Sequence, residues 1–425
     1  MGFMGKAQEK SKPEFNIVGV TQAAYRWNEG SFQKWEWILK PELNYKLSKR
    51  IRFYLKGRFY TDLSDNLETD KPQIKEVSKA SRRHWIGSKS EWEFREVYVD
   101  LDLGGFGFTR IGKQQIVWGE TDGLKLLDLV NPQNFREFIL ADFDESRIPL
   151  WSIKHDFSVS ELNVQLLWIP DNTYHDLPDF DYPFFPKSNL PPLGNNKVLF
   201  NESEKPSAFF KDSEYGVKLN RFIKGWDLSL NYLYTFDDFA LFNIQPLTTN
   251  PALDVSATPF YSRYHLVGGS FNKAISSISL RGELAVNINK EFGNINSFDF
   301  PENLTKNQAS AAIGVDWLPG ENMLSAQVFV DKVFDIKSLF GRNPFDSFVT
   351  FLYRRDLFND SMTLEFQEIH NVSRGDGLIR FSANYYLLSN LELIGGTDIF
   401  YGDGNELFGQ FARQNRVSLG VRWGI

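Results

Sequence analysis

Apolar and polar residues alternate one by one along almost the whole of this 425-residue chain. From 416 to 425 the sequence RVSLGVRWGI places a glycine or a polar residue and an apolar residue in turn. The stretches 51–59, 226–236 and 278–288 follow the same pattern. A period of two is that of a β-strand with one apolar and one polar face. The alternation therefore predicts an all-β protein.

The apolar faces end in aromatic residues, which distinguishes two all-β architectures. A soluble β-sandwich also alternates, but its core has no reason to gather aromatic residues at strand ends. Here Trp35 and Trp37 open one strand and Trp423 lies near the end of the last, in a chain with 16% aromatic residues. Aromatic girdles of this kind flank the lipid-facing band of membrane barrels. The pattern favours a closed antiparallel transmembrane β-barrel over a sandwich.

The absence of apolar helical segments agrees with a barrel. No stretch has the roughly 20 apolar residues that a spanning helix needs, and without helices only a closed barrel pairs all backbone groups in a bilayer. The opening MGFMGKAQEKSKPEF also has no apolar core, so it is not predicted to be a signal peptide.

The spacing of the strands predicts the size of the barrel. The pattern indicates about 18 strands, with 14 or 16 possible, in a single barrel domain that occupies residues 1–425. Every second connection is very short, as at Ser48-Lys49 and Ser389-Asn390, whereas Asp62 to Ser90 and Pro170 to Ala208 are long. Short turns on one rim and long loops on the other are typical of outer-membrane barrels. A barrel of 16 to 18 strands leaves an aqueous lumen.

If the apolar face contacts lipid, the polar face lines the lumen. The residues predicted to line the pore carry both signs: Arg52, Lys56, Arg58, Glu96, Asp100, Arg281, Glu283, Arg380 and Arg422. Charges on a pore wall can select solutes by sign, pair with one another or anchor an inward loop. The sequence leaves these alternatives open.

The segment from Gly119 to Ile148 interrupts the alternation. Leu124, Leu127 and Val130 recur at helical spacing, and Asn131-Pro132 offers an N-cap and a first-turn proline. Two short amphipathic helices are therefore predicted, either inside the lumen as a constriction or plug, or packed on the outer rim as a cap. The charged residues expected to pair with the wall are Asp128, Arg136, Glu137 and Arg147.

Composition excludes several other functions. With no Cys there is no thiolate metal site, iron–sulfur cluster or covalent haem. The formal charge of −7 argues against nucleic-acid binding, and the five His are too scattered to predict a metal site. His265 and His370 could serve as the base of a hydrolase, but neither lies in a recognisable motif. No catalytic residue, metal or cofactor is predicted.

Residues 110–151, from RIGKQQIVWGETDG to ESRIPLW, carry a resemblance to a known family. It rests mainly on Gly112, Gln114, Trp118, Gly119, Asn131 and Pro132. On these residues the chain resembles a family of proteobacterial outer-membrane barrels labelled as a domain of unknown function. The resemblance implies a location in the outer membrane of a Gram-negative bacterium, among its lipids. It also implies work with a periplasmic component or an exporter of the resistance-nodulation-division type, and transport of apolar or lipid-like compounds.

Four functions follow from these observations. The first is a passive, porin-like outer-membrane channel with the segment 119–148 as its constriction or gate. The second is a barrel that receives an apolar compound from a periplasmic partner. The third is a scaffold or sheath around a partner protein, and the fourth is an outer-membrane hydrolase. A water-filled bore would favour the first, and a dry apolar tunnel the second.

Overall fold

The computed structural model describes residues 12–68, 76–121, 123–180, 182–187, 198–247, 255–295, 301–339 and 342–425. The strands in these ranges are β1 (Glu14–Arg26), β2 (Ser31–Lys46), β3 (Ile51–Asp62), β4 (His84–Ile86), β5 (Ser90–Asp102), β6 (Phe108–Gln114), β7 (Leu150–Val159), β8 (Leu162–Ile169), β9 (Val198–Phe200), β10 (Glu214–Ile223), β11 (Trp226–Phe236), β12 (Leu241–Pro246), β13 (Val255–Phe260), β14 (Arg263–Ile275), β15 (Ile278–Ile295), β16 (Pro301–Trp317), β17 (Asn322–Val333), β18 (Phe345–Leu357), β19 (Met362–Asn371), β20 (Asp376–Leu388), β21 (Leu391–Tyr401) and β22 (Arg416–Gly424). The described ranges also contain one α-helix, α1 (Phe143–Ser146), and the 3₁₀ turns Gly104–Phe106 and Gly409–Gln414. Among the described residues, no helix has both the length and the apolar character that crossing a membrane requires.

Eighteen strands form a closed antiparallel barrel. The main sheet has 19 strands, of which β4 is a short arm hydrogen-bonded to β5, and the other 18 form the ring. The ring closes because β1 pairs with β22 from Val18 opposite Gly424 to Arg26 opposite Arg416. The predicted fold class and the predicted number of strands are confirmed.

The two rims differ as predicted. All eight connections expected to be short are tight turns, between β2 and β3, β5 and β6, β7 and β8, β10 and β11, β14 and β15, β16 and β17, β18 and β19, and β20 and β21. Both ends of the barrel wall lie at this rim, where the backbone N–H of Ile17 donates to the carbonyl of Ile425 at 3.0 Å and the reverse bond has the same length. In other membrane barrels the short turns lie on the periplasmic rim; here we call this side the short-turn rim.

The alternation sorts side chains between the two surfaces of the wall. In β22, Leu419 is 71% exposed on the outer surface, whereas its neighbour Ser418 is 8% exposed and faces the lumen. Trp37 and Trp423 contact each other edge to face on the outer surface, with ring centroids 6.1 Å apart. Phe236 is an exception in β11, because it is buried beneath Tyr174 and not exposed as the pattern of the strand predicts.

The structure corrects the sequence in two places. Period-two alternation predicts one strand over 106–118, but β6 ends at Gln114 and the chain then turns into the lumen. The connection from Asp238 to Pro259 contains β12 and β13, which form a three-stranded sheet with β9. Both errors arise because alternation reports a half-buried strand without reporting which neighbour covers it.

We expect a charge on the outer surface to destabilise the barrel in proportion to its depth. Leu419→Lys, at the middle of β22, should lower the free energy of unfolding by about 2–4 kcal/mol, because the ammonium would face hydrocarbon. Denaturant titration in lipid vesicles measures this change. The matched control is Ile425→Lys at the rim, where the cost should be about 0–1 kcal/mol; equal effects of the two substitutions would contradict the assigned lipid band.

Candidate functional site: the luminal insert and the cavity beside it

One asparagine, Asn131, joins the segment that enters the lumen to the segment that leaves it. The side-chain oxygen of Asn131 accepts the backbone N–H of Ile116 at 2.7 Å, and its amide donates to the carbonyl of Ile148 at 2.9 Å. The carbonyl of Pro132 accepts the N–H of Ile148 at 2.8 Å. Asn131 thus fastens the incoming and outgoing strands of the connection together. We call residues 119–148 the insert.

Gly112 and Gln114 lie where the chain leaves the wall at the end of β6. Gly112 has φ +139°, and a Cβ there would clash with the backbone of Val97 and Tyr98 on β5. The Gln114 amide donates to the carbonyl of Ser152 on β7 at 3.2 Å, and its side chain is fully buried. A glycine is needed at 112 because side-chain-bearing residues rarely adopt this backbone conformation.

Trp118, Gly119 and Asp128 fix the first bend of the insert. The indole N–H of Trp118 donates to the Gln165 Oε1 at 2.7 Å. A Cβ on Gly119 would lie 2.9 Å from the Cβ of Asp128, so only glycine allows this approach. The Asp128 carboxylate pairs with Arg147, with an Nε to Oδ2 distance of 3.0 Å, and both side chains are buried. Breaking such a pair would leave an unpaired buried charge.

The insert lies inside the barrel, but the prediction of two helices is wrong. Among its described residues the helical part is α1 alone, four residues long, and Asn131-Pro132 begins no helix. The 3.6-residue spacing of Leu124, Leu127 and Val130 instead reflects apolar side chains that an irregular loop directs to the wall. Outside α1, backbone groups of the loop are satisfied by side chains such as Asn131 and by turn and loop-to-loop bonds, such as the one from the N–H of Asn134 to the carbonyl of Ser146 at 2.7 Å.

One side of the insert packs on an apolar part of the wall. Leu127 and Val130 belong to a buried cluster with inward residues of β7, β8, β11 and β14 to β17, among them Leu233 and Leu266. A second cluster joins Leu140 and the partly buried Phe138 to inward residues of β19, β20 and β21 and to the 402–415 connection; its buried members are Leu67, Leu140, Phe184, Ile369, Leu378, Phe400, Phe408 and Phe411. Apolar contacts therefore reach the wall on several sides of the lumen.

The other side of the insert is held by ion pairs to β2, β3 and β22. Glu137 lies 2.9 Å from the Nζ of Lys34 and also pairs with Arg416. Glu145 lies 2.8 Å from the Nε of Arg58 and 3.1 Å from the Nζ of Lys40.

Two further wall residues hold the insert by polar contacts. Asp144 lies 2.7 Å from the Nζ of Lys56. Arg380, on β20, donates to the carbonyl of Leu140 at 3.0 Å. The insert is thus attached to β2, β3, β20 and β22 by polar contacts, in addition to its apolar contacts with the wall.

Glu283 and Arg281 on β15 hold the start of the insert. The Glu283 carboxylate accepts the backbone N–H groups of Glu120, Thr121 and Leu127, the last two at 2.9 and 3.2 Å. Arg281 donates to the carbonyl of Glu120 at 2.5 Å and pairs with Asp316 at 3.0 Å. A carboxylate that accepts several backbone N–H groups satisfies donors that the loop would otherwise bury unpaired.

Described residues of the long connection 170–208 contact the insert. The carbonyl of Asp176 accepts the N–H of Phe135 at 2.8 Å, and the ring of Phe184 packs on Phe411 with centroids 5.6 Å apart. Arg136 lies beneath it, 4.2 Å from the ring centroid of Tyr60 and 3.4 Å from Glu68. Phe184 of this connection thus packs on the neighbouring 402–415 connection.

The remaining predicted pore-lining residues also belong to the polar luminal face, nearer the short-turn rim. Arg52 donates to Asn44 at 2.9 Å, Asp100 pairs with Arg110 at 2.6 Å, and Arg422 pairs with Glu392 at 2.8 Å. Glu96 is opposite Lys56 in the register of β3 and β5. These four do not join the insert anchors, apart from a 3.6 Å approach of Arg422 to Asp142.

Sequence reasoning missed two anchors. Lys34 precedes the strand predicted over 35–47, although extending the alternation by one step places it beside Glu36. Arg95 donates to the carbonyls of Asp144 and Arg147 at 2.6 and 2.8 Å. The register of β3 and β5 skips Arg95 at a β-bulge, and a bulge turns a side chain away from strict alternation, so no periodic signal could reveal it.

A cavity of about 540 Å³ remains between the insert and the wall formed by β1 to β3 and β18 to β22. Its lining is mostly polar and carries both signs. The charged lining residues are Lys34, Glu36, Lys40, Arg58, Arg95, Arg136, Glu137, Asp142, Glu145, Arg354, Asp356, Glu365, Arg380, Glu392, Asp398, Arg416 and Arg422. In the described part of the chain, no group of three or more His, Asp or Glu is placed to hold a metal ion.

Comparison with protein families identifies the chain. Residues 28–376, more than three quarters of its length, match the model of a family described as "Protein of unknown function (DUF1302)". The chain belongs to this family. The resemblance seen over 110–151 is therefore confirmed and extends over most of the DUF1302 barrel. No curated protein sequence matches the chain.

Solved structures share the fold of this DUF1302 protein at low sequence identity. The crystal structure of Acinetobacter baumannii OccAB4 has a TM-score of 0.55 at 9% identity, covering 99% of this chain and 100% of that one. Acinetobacter baumannii OccAB2 has a TM-score of 0.54 at 11% identity, covering 99% of each chain. Pseudomonas aeruginosa OpdK, solved with vanillate, has a TM-score of 0.52 at 9% identity, covering 97% and 98%. These similarities show a shared barrel fold.

We expect Asn131→Ala to loosen the insert without opening the barrel. The substitution removes the partners of two backbone groups, the Ile116 N–H and the Ile148 carbonyl, and should lower the free energy of local opening by about 2–4 kcal/mol. Hydrogen exchange of the insert amides measures this. Asn405→Ala, in an exposed turn, is the control; unchanged protection of the insert in Asn131→Ala would refute the clamp.

Acidification should leave the insert docked. Burial disfavours the charged forms of Glu137 and Glu145, but Lys34 and Arg416 outweigh it for the first, and Arg58, Arg95 and Lys40 for the second, so both pKa values are lowered. The stabilisation from a lowered pKa is complete above the ordinary glutamate pKa of 4.5 and is lost only as the pH falls through the lowered value. Burial raises the pKa of Asp176 to about 6, so its protonation relieves a buried charge and adds stability as the pH falls.

The measurement is the conductance of the reconstituted protein from about pH 7 to about pH 5, over which the insert should stay in place. An abrupt rise in conductance within that range would show that the ion pairs to β2, β3 and β22 do not hold the insert as described.

Proposed function

We propose that this protein is a passive, porin-like channel in the outer membrane of a Gram-negative bacterium, and that small hydrophilic solutes pass it beside the insert. The observation that carries the proposal is the polar, two-signed cavity between the insert and the wall of β1 to β3 and β18 to β22. Hydrophilic walls of both signs can replace part of the hydration of a passing solute. The shared barrel fold of OccAB4, OccAB2 and OpdK supports the same conclusion.

The insert serves as the constriction in this proposal. One apolar side of it packs against β7, β8, β11 and β14 to β17, where the lumen is filled by side chains. Its charged side contacts Lys34, Lys56 and Arg416, and the pairs of Glu137 with Lys34 and Arg416 are buried. Breaking these pairs would leave buried charges without partners. The insert is therefore expected to stay docked and to narrow the lumen to the cavity beside it.

The polar lining favours a hydrophilic solute over the apolar compound that the family resemblance implies. Vanillate was solved with OpdK, and a small aromatic carboxylate of that kind is a suitable first probe solute. The association with a periplasmic or resistance-nodulation-division exporter component stays a prediction. His265 and His370, the candidates for a hydrolase base, each hydrogen bond a tyrosine hydroxyl on the outer surface.

Planar-bilayer recording tests the channel. Deletion of Asp122 to Asp144 should raise the single-channel conductance several-fold, because it removes most of the insert from the bore. If neither the intact protein nor the deletion variant conducts, the proposal of an open pore fails.

Charge substitutions keep the test valid if the deletion variant does not fold. Arg422→Glu and Arg354→Glu change wall charges of the cavity that are partly exposed, and each should shift the reversal potential toward cation selectivity. Arg221→Glu is the control, because Arg221 pairs with Glu161 at the exposed rim. A reversal potential that the cavity substitutions do not move would place the conduction path elsewhere.

A further inference from the structure

The outer surface of the barrel carries an apolar groove that ends in polar groups. The groove has a volume of about 740 Å³ and lies across β16 to β21. Its apolar lining includes Ile313, Val328, Val349 and Phe351, each more than a third exposed on the outer face. In a transmembrane barrel this face contacts lipid chains.

Glu368, His370 and Tyr401 break the apolar alternation at the edge of this groove. Their positions are on the outer face, because the intervening Ile369 belongs to a buried luminal cluster. The Tyr401 hydroxyl donates to the Glu368 Oε1 at 3.1 Å, and the His370 Nδ1 lies 2.8 Å from the same hydroxyl. Since the tyrosine proton points to Glu368, the His370 Nδ1–H must donate to the tyrosine oxygen.

Gly377 allows the three side chains to meet across β20. It pairs with His370 on β19 and with Tyr401 on β21 in the sheet register. A Cβ at this position would lie 2.6 Å from the Cζ of Tyr401. The tyrosine ring can therefore cross β20 only over a glycine, and the cluster spans three adjacent strands.

A carboxylate on a lipid-facing surface is costly unless its oxygens receive hydrogen bonds. Tyr401 satisfies Oε1 of Glu368, but among the described residues no donor reaches Oε2. The cluster lies close to the long-loop rim, since β19 ends at Asn371 and β21 ends at Tyr401 itself. Headgroups of membrane lipids are found at this level. The apolar groove thus ends at the Glu368 carboxylate, of which one oxygen accepts a hydrogen bond and the other has no donor among the described residues.

We propose that the groove binds one acyl-chain amphiphile whose head carries a primary ammonium group. The chain lies along Val328, Val349 and Phe351, and the ammonium donates to Glu368. A primary ammonium fits because it supplies both the opposite charge and N–H donors, so the hydrogen bond is charge-assisted at both ends. The proposal depends on the barrel fold and is independent of solute conduction.

The pair Tyr232 and His265 provides an internal control. The Tyr232 hydroxyl lies 2.9 Å from the His265 Nδ1 on the outer face of β11 and β14, so a phenol and an imidazole are hydrogen-bonded there as well. In the described part of the chain, no carboxylate hydrogen bonds this second pair. If tyrosines on the membrane-facing surface bound lipid in general, both tyrosine–histidine pairs would bind it equally.

Native mass spectrometry of the full chain in detergent tests the proposal. The probes are phosphatidylethanolamine, phosphatidylcholine and phosphatidylglycerol with identical acyl chains, which have a primary ammonium, a quaternary ammonium without N–H, and no ammonium. The intact protein should retain one phosphatidylethanolamine at least about tenfold more strongly than either other lipid. Glu368→Gln should abolish the preference, whereas Tyr232→Phe should preserve it.

The opposite outcomes are equally clear. Equal retention of the three lipids, or a preference that Glu368→Gln leaves unchanged, would overturn the proposal. Preference for phosphatidylcholine equal to that for phosphatidylethanolamine would show that charge alone acts and would also overturn the hydrogen-bonded site. If Glu368→Gln fails to fold, Tyr401→Phe, which leaves the carboxylate in place, should retain a preference for phosphatidylethanolamine over phosphatidylglycerol.

Discussion

The backbone of this protein can cross hydrocarbon only if each N–H and C=O group finds a partner within the wall. The pairing of β1 with β22 meets that requirement, because it removes the two free edges that an open sheet would present to lipid. The other features follow from closure. Closure gives the wall an inside and an outside, so alternation along each strand becomes a division between water and lipid. It also encloses a lumen wide enough to need filling.

The insert fills that lumen with two kinds of contact. Apolar clusters around Leu127 and Phe138 fix it to the wall, and Glu137, Asp144 and Glu145 pair with wall cations. Buried ion pairs contribute little net stability when complete, but losing one partner is expensive. They therefore specify where the insert sits more than how stable the barrel is. Because the polar side faces β1 to β3 and β18 to β22, the residual cavity is polar as well.

The outer surface departs from the apolar pattern at a few positions. Most strands present apolar residues to lipid, and Glu368, His370 and Tyr401 depart from this where Gly377 makes room for them. Local departures from an otherwise consistent pattern are expected mainly at functional or strained sites. Arg95 is a second departure, and there the β-bulge of β5 directs a guanidinium to the carbonyls of the insert.

The sequence by itself determined the all-β class, the closed barrel, a count of about 18 strands with 14 or 16 left open, and the side of the wall on which Arg58, Glu283 or Leu419 lies. These depend on a period of two and on turn spacing, which are local properties of the chain. Tertiary structure alone decided that the insert is an irregular loop across the lumen, that Asn131 clamps its ends, and that Tyr401 meets Glu368 across a glycine. Such contacts join residues distant in the chain, and no local pattern encodes them, because helical spacing in residues 124–130 has the same appearance whether a helix or a wedged loop buries the apolar side chains.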